Sequence, residues 1–140
     1  NEDLDTAAGV SAVNTLKRFI SSCDGVLIAT PEYNHGIPGV LKNTLDWLSR
    51  PVSESCFKNK PVSIISSSKA FTGGVRAQYQ LREALISMEA QLVMGPEVVV
   101  GGVDRHFEHE SYADETGLIF MLNSLNRLKD AALCRRLVAA

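Results

Sequence analysis

Apolar residues recur along this chain in two alternating rhythms. Val10, Val13, Leu16 and Ile20 fall three and four apart, the spacing of one helical face, with Lys17 and Arg18 turned elsewhere. Asp5 or Thr6 stands where an N-cap belongs, so a first helix is predicted to begin there. After Ser21-Ser22-Cys23-Asp24-Gly25 comes the unbroken run Val26-Leu27-Ile28-Ala29, with the length and branching of a strand buried on both faces. Thr30-Pro31 ends that strand, because proline has no N–H for a ladder, and Pro38 opens the next helix where a missing N–H is harmless. From Val40, the residues Leu41, Thr44, Leu45 and Leu48 form its stripe, and Arg50-Pro51 closes it. Val62 to Ile65 predicts a second buried strand, which runs through Ser66-Ser67-Ser68 into a loop ending in Gly73-Gly74. Leu81, Ala84, Leu85 and Met88 then mark a third helix. Pro96 to Val100 predicts a third strand, a polar loop runs to about Asp114, and Leu118, Met121, Leu122, Leu125 and Leu128 mark a last helix.

Helices and strands alternating in this way, with no Asn-Gly hairpin, predict βαβ crossovers and a parallel sheet, hence an α/β fold. In such sheets ligands bind beyond the carboxyl ends of the strands, which directs attention to the loops at 30–37 and 66–74.

Composition narrows the function classes. With 140 residues, 45% hydrophobic and 21% charged, the chain suits one compact domain. A net charge of -2 gives no footprint for nucleic acid. No apolar stretch nears the roughly 20 residues of a bilayer span, so no membrane segment is predicted. Cys23, Cys56 and Cys134 form no CxxC pair, against a zinc site or a thioredoxin-type couple. Cys23 and Cys134 read as small packing groups at helix ends, and the compartment as reducing cytoplasm. His35 and His106 have no ligand partner at metal-binding spacing, so each is expected to be solvated or hydrogen-bonded, with no metal site. Asn1 is not an initiator Met and the acidic start is unlike a signal peptide, so the chain reads as one that starts midway.

The loop after the first strand carries a longer pattern: Pro31-Glu32-Tyr33-Asn34, then Pro38-Gly39, Leu41-Lys42-Asn43 and Asp46-Trp47. It resembles the NADPH-dependent FMN reductases, the flavodoxin-like group that includes quinone and chromate reductases and some azoreductases. Gly73-Gly74, Arg76, Gln78, Tyr79, Leu81 and Arg82 resemble that family's next loop and helix, and Pro96-Glu97 its last strand, so the likeness runs from Val10 to Gly102. It implies a doubly wound, three-layer α/β/α sheet of which residues 1–140 form the C-terminal portion, N-terminally incomplete. It also implies a reaction in which FMN takes hydride from NAD(P)H and passes it to a small-molecule acceptor such as a quinone, chromate, an azo dye or free flavin. On that precedent the cofactor-binding residues are Pro31, Glu32, Tyr33 and Asn34 along one ring edge, and Ser67, Ser68, Lys69, Gly73 and Gly74 on the opposite wall, with no side chain needed as acid or base. The family's active sites are completed across a twofold interface, which implies a homodimer or homotetramer.

Plainer readings stand beside these. Glu32 can be a helix-entry anion or a solvent-facing residue, Tyr33 a packing ring and Asn34 a turn former tolerant of the left-handed region. Leu41, Asp46 and Trp47 read as helix packing, and Arg76 and Tyr79 as interface or structural groups. Gly36 stands where the family usually has Ser, and Ala70 where it has Gly, which places a Cβ where a positive φ is expected. The family's phosphate-binding loop, which follows an earlier strand, has no counterpart in this sequence. The rival to the reductase is therefore a noncatalytic, truncated flavodoxin-like module that assembles through the exposed edge at Val26 to Ala29.

Overall fold

The computed structural model describes residues 2–6 and 9–139. Helix α1 covers Ser11–Ser22, strand β1 Val26–Pro31, α2 Gly39–Leu48, β2 Pro61–Ser68 and α3 Val75–Ser87. The strands β3, Gln91–Leu92, and β4, Val98–Gly101, follow, then the short pair β5, Phe107–Glu108, and β6, Ser111–Tyr112, and finally α4, Glu115–Ala139. The main sheet is parallel throughout. β1 pairs with β2 from Val26↔Val62 to Pro31↔Ser67, while β3 and β4 both pair with the far side of β2. This mixed architecture with its parallel central sheet is the flavodoxin-like α/β fold.

Alternation along β2 distributes the helices. Val62 and Ile64, with Val26 and Ile28 of β1, meet Ile20 of α1, Leu45 and Leu48 of α2, and Ala77, Leu81 and Leu85 of α3 in one cluster. A period-two strand turns its intervening residues the other way. Ser63 accordingly faces α4, where its hydroxyl lies 2.7 Å from that of Ser124, both side chains buried. Among the described residues no helix is long and apolar enough to cross a membrane.

The structure corrects several expectations. Neither Asp5 nor Thr6 caps the first helix: α1 begins six residues after Asp5, at Ser11, with Val10 at the N-cap and no side-chain bond there. The continuous apolar run at β1 is not buried on both faces: Val26 and Ile28 pack against the core, whereas Leu27 on the other face is 37% exposed. The third predicted strand is present as β4 but starts at Val98, leaving Pro96-Glu97 outside it, and a short strand that was not predicted, β3, pairs with the other end of β2. A small antiparallel hairpin, β5–β6, interrupts the polar loop after β4. Its turn residues His109 and Glu110 have φ of 46° and 67°, a primed turn made without the Asn-Gly pair that usually announces one. Cys23 and Cys134 are exposed rather than packed.

Candidate functional site

Pairing of Pro31 with Ser67 brings the carboxyl ends of β1 and β2 side by side, so their loops rise together from one end of the sheet. The first loop is a tight reversal. Tyr33 and Gly36 exchange backbone hydrogen bonds of 2.9 and 3.0 Å, and between them Asn34 and His35 take φ of 48° and 68°. Two successive left-handed residues define a primed turn, so Asn34 has the turn-forming role that its residue type allows. Tyr33, Asn34 and His35 are exposed at its tip.

Glu32 points the other way. Its side chain is only 8% exposed, and its carboxylate accepts from the backbone N–H of Arg76 at 3.0 Å and of Ala77 at 3.4 Å, and from the Arg76 guanidinium at 3.2 Å. Helix α3 starts from Gly74, a residue with no side chain to cap the orphan donors of the first turn. Glu32 supplies that acceptor from 44 residues upstream, which is the helix-entry role. Burial works to raise its pKa, yet the bonds from the Arg76 side chain and the Ala77 and Arg76 amides, with the arginine charge, hold it below its ordinary 4.5. A second tie runs from the same helix: the Gln80 amide oxygen accepts from Ile37 N–H at 2.7 Å. A Cβ at Gly36 would come within 2.6 Å of that oxygen, so glycine at 36, where the family usually has Ser, lets Gln80 reach the loop.

The second loop is anchored from below. Ser67 and Ser68 are half-buried and Lys69 exposed, whereas Gly73 and Gly74 are buried with φ of 60° and 87°. Gly73 lies on the β4 backbone, where a Cβ would stand 2.9 Å from the nitrogens of Val100 and Gly101, and Gly74 lies on Ser66. The two glycines therefore serve as the buried floor of the loop, while Ser67, Ser68 and Lys69 are the residues it presents. Ala70 does not take a positive φ; its carbonyl accepts from Gly73 and Gly102, so the methyl group there forces no strain.

Two buried polar residues hold this floor in place. Gln78, fully buried, donates its Nε2 to the Ser66 hydroxyl at 3.0 Å and to the Val98 carbonyl at 2.8 Å, and Ser66 in turn donates to the Gly73 carbonyl at 2.7 Å. Gln78 stands in the family pattern and Ser66 at the end of the predicted strand, but neither is given a role from sequence. Gln78 did carry a signal, since it falls on the core stripe of Leu81 and Leu85, where a polar residue needs a partner.

Beside Ser67 the sheet face opens into a cavity of about 300 Å3 lined mainly by apolar groups, among them Ala29, Ile65, Val100, Phe107, Leu118 and Met121. A second cavity of about 330 Å3 holds His106, Tyr112 and Asp114. Asp114 caps α4 through Gly117 N–H at 3.1 Å and lies 3.3 Å from both His106 Nδ1 and the Tyr112 hydroxyl. The Gly117 bond chiefly, aided by Tyr112 and His106, lowers the Asp114 pKa, while burial and the Asp114 charge raise that of Tyr112. His106 is thus hydrogen-bonded and structural in setting, its Nε2 also 3.1 Å from the Gly101 carbonyl. No group of three or more metal-ligating side chains occurs among the described residues.

The paired loops suit a flat, apolar ring with a polar rim: backbone turns at its edge, serine hydroxyls opposite, and glycines where a side chain would push the wall inward. An NAD(P)H-dependent FMN reductase of Pseudomonas aeruginosa is 39% identical over 108 residues, 77% of this chain and 58% of that protein. A quinone reductase of Escherichia coli is 45% identical over 93 residues, 66% of this chain and 48% of its own length. FerB, a flavoenzyme NAD(P)H:acceptor oxidoreductase from Paracoccus denitrificans, superposes with a TM-score of 0.80 at 30% identity, covering 94% of this chain and 72% of that structure. The chain spans about half the length of the curated relatives it matches. The sequence profile described as NADPH-dependent FMN reductase matches residues 1–104, and the chain belongs to that family.

Proposed function

We propose that this chain forms the ring-binding part of an FMN-dependent NAD(P)H oxidoreductase that reduces quinones or similar small acceptors. The observation that carries this reading is the pair of loops standing side by side at the Pro31↔Ser67 register, beyond the carboxyl ends of two adjacent parallel strands. The backbone of Pro31 to Asn34 forms one edge, with Tyr33 and Asn34 exposed to contribute side chains; Ser67, Ser68 and Lys69 form the other, over Gly73 and Gly74. Bound FMN supplies the redox chemistry, and the protein supplies orientation, stacking and donors near the ring. We assign no side chain as acid or base.

The same reading places residues 1–140 as the C-terminal portion of one domain, in the cytoplasm, working as a homodimer or homotetramer. The resemblance noted above, to a family whose active sites are completed across a twofold interface, supports assembly. Sedimentation velocity at high concentration checks the oligomer, and a species that stays monomeric would refute it.

FMN titration followed by NAD(P)H oxidation with a quinone tests the main proposal. Ring contacts without a phosphate site forgo several charge-assisted hydrogen bonds of about 1.5–3 kcal/mol each, so the 140-residue chain should purify largely flavin-free. A form extended with a family-type first strand and phosphate loop should bind FMN tightly and turn over. An extended form that stays colourless with added FMN would overturn the reductase reading in favour of a noncatalytic assembly module.

A further inference from the structure

We infer that Glu32 is a positioning residue which ties the two walls of the ring slot to a single template, the first turn of α3; this rests on the flavin reading above. The loop after β1 has no hydrogen-bonded ladder beyond Pro31 to fix its height over the sheet, apart from its own internal turn. Its attachments to the rest of the molecule in this region are the Glu32 carboxylate on Arg76 and Ala77 and the Ile37 amide on Gln80. All three partner residues lie on α3. The other loop ends in Gly74, the N-cap of that same helix, and Gln78 one turn on holds its floor through Ser66. Slot width is therefore set by how α3 starts, and Glu32 is the group that transmits that position to Tyr33 and Asn34.

Burial gives the clasp its rigidity. A carboxylate only 8% exposed that receives three donors has few other orientations open to it, and charge-assisted bonds of this kind are the stronger class. The lowered pKa of Glu32 agrees with an ionised clasp at neutral pH. A glutamate aimed at the ring itself would instead set a negative charge beside a cofactor that becomes anionic on reduction, and the observed inward orientation avoids that.

Two measurements on the 140-residue protein test this. Amide hydrogen exchange by NMR reads the clasp directly: Glu32→Ala should speed exchange at Arg76 and Ala77 by about tenfold or more, and Glu32→Gln, which keeps one acceptor oxygen, by less. Riboflavin, which lacks the phosphate, reads the slot: its dissociation constant should rise about tenfold in Glu32→Ala and clearly less in Glu32→Gln. A helix cap with no bearing on the slot would change exchange and melting temperature but leave riboflavin affinity alike in all three proteins, and that result would overturn the inference, as would unchanged exchange at Arg76 and Ala77 in Glu32→Ala. Should Glu32→Ala not fold, Arg76→Met removes one leg of the clasp and should give a smaller loss of riboflavin affinity in the same direction. Wild-type protein that ignores riboflavin while its Arg76 and Ala77 amides lose protection in Glu32→Ala would sink the flavin reading and leave the clasp itself standing.

Discussion

Gly73 offers the sharpest test of how the second loop is built. At φ of 60° an alanine meets the left-handed penalty, about 1–2 kcal/mol, and its Cβ would stand 2.9 Å from two backbone nitrogens of β4 and 3.0 Å from the Val100 carbonyl carbon. Backbone in a sheet cannot step aside as a side-chain tip does, so overpacking adds about 1–3 kcal/mol. Loss of glycine from the unfolded chain returns about 0.4–1 kcal/mol, leaving a net destabilisation of about 1–5 kcal/mol. For a domain of this size that lowers the melting temperature by roughly 3–20 °C. Urea unfolding followed by far-ultraviolet circular dichroism measures it, with Gly39→Ala as control: Gly39 begins α2 with nothing within 4 Å of an added Cβ, so that variant should be neutral or gain up to about 1 kcal/mol. Gly73→Ala within about 0.5 kcal/mol of wild type would refute the close approach of loop and strand.

Three further outcomes follow from buried polar groups. Gln78→Leu orphans the Val98 carbonyl and one side of the Ser66 hydroxyl, and should lower unfolding free energy in urea by about 1–3 kcal/mol. Ser63→Ala or Ser124→Ala alone should cost about 1 kcal/mol and the double variant less than the two together, a coupling that a double-mutant cycle detects and that strict additivity would contradict. Lys60 is 2% exposed, its ammonium donating to the carbonyls of Ser21 and Cys23 at the end of α1; burial first and the Arg135 charge next depress its pKa from 10.5. The folded state thus releases this proton before the unfolded chain does, so stability should rise with pH between the lowered value and 10.5, and Lys60→Met should flatten that rise in urea titrations across the window.

Much of the architecture was legible in the letters. Apolar runs such as Val26 to Ala29 and Val62 to Ile65, separated by stripes at helical spacing, determine strands and helices through local geometry alone, and their alternation determines a parallel sheet because parallel neighbours need a crossover. The pattern from Pro31 to Trp47 likewise led to the family before any contact was known. Prolines and glycines placed the loops, since their backbone limits act within one or two residues.

Tertiary structure decided what each loop residue faces. Glu32, Tyr33 and Asn34 are neighbours in sequence, yet one is sealed against α3 and the other two stand exposed, because Glu32 is the residue from which a carboxylate meets the uncapped amides of Arg76 and Ala77. Gly73 and Gly74 looked like loop wall and proved to be buried floor, since β4 approaches from beneath. Strand β3 has no apolar run of its own and forms because Gln91 and Leu92 pair with Pro61 and Val62, 30 residues upstream, and a partner that distant leaves no mark in a window of neighbouring residues.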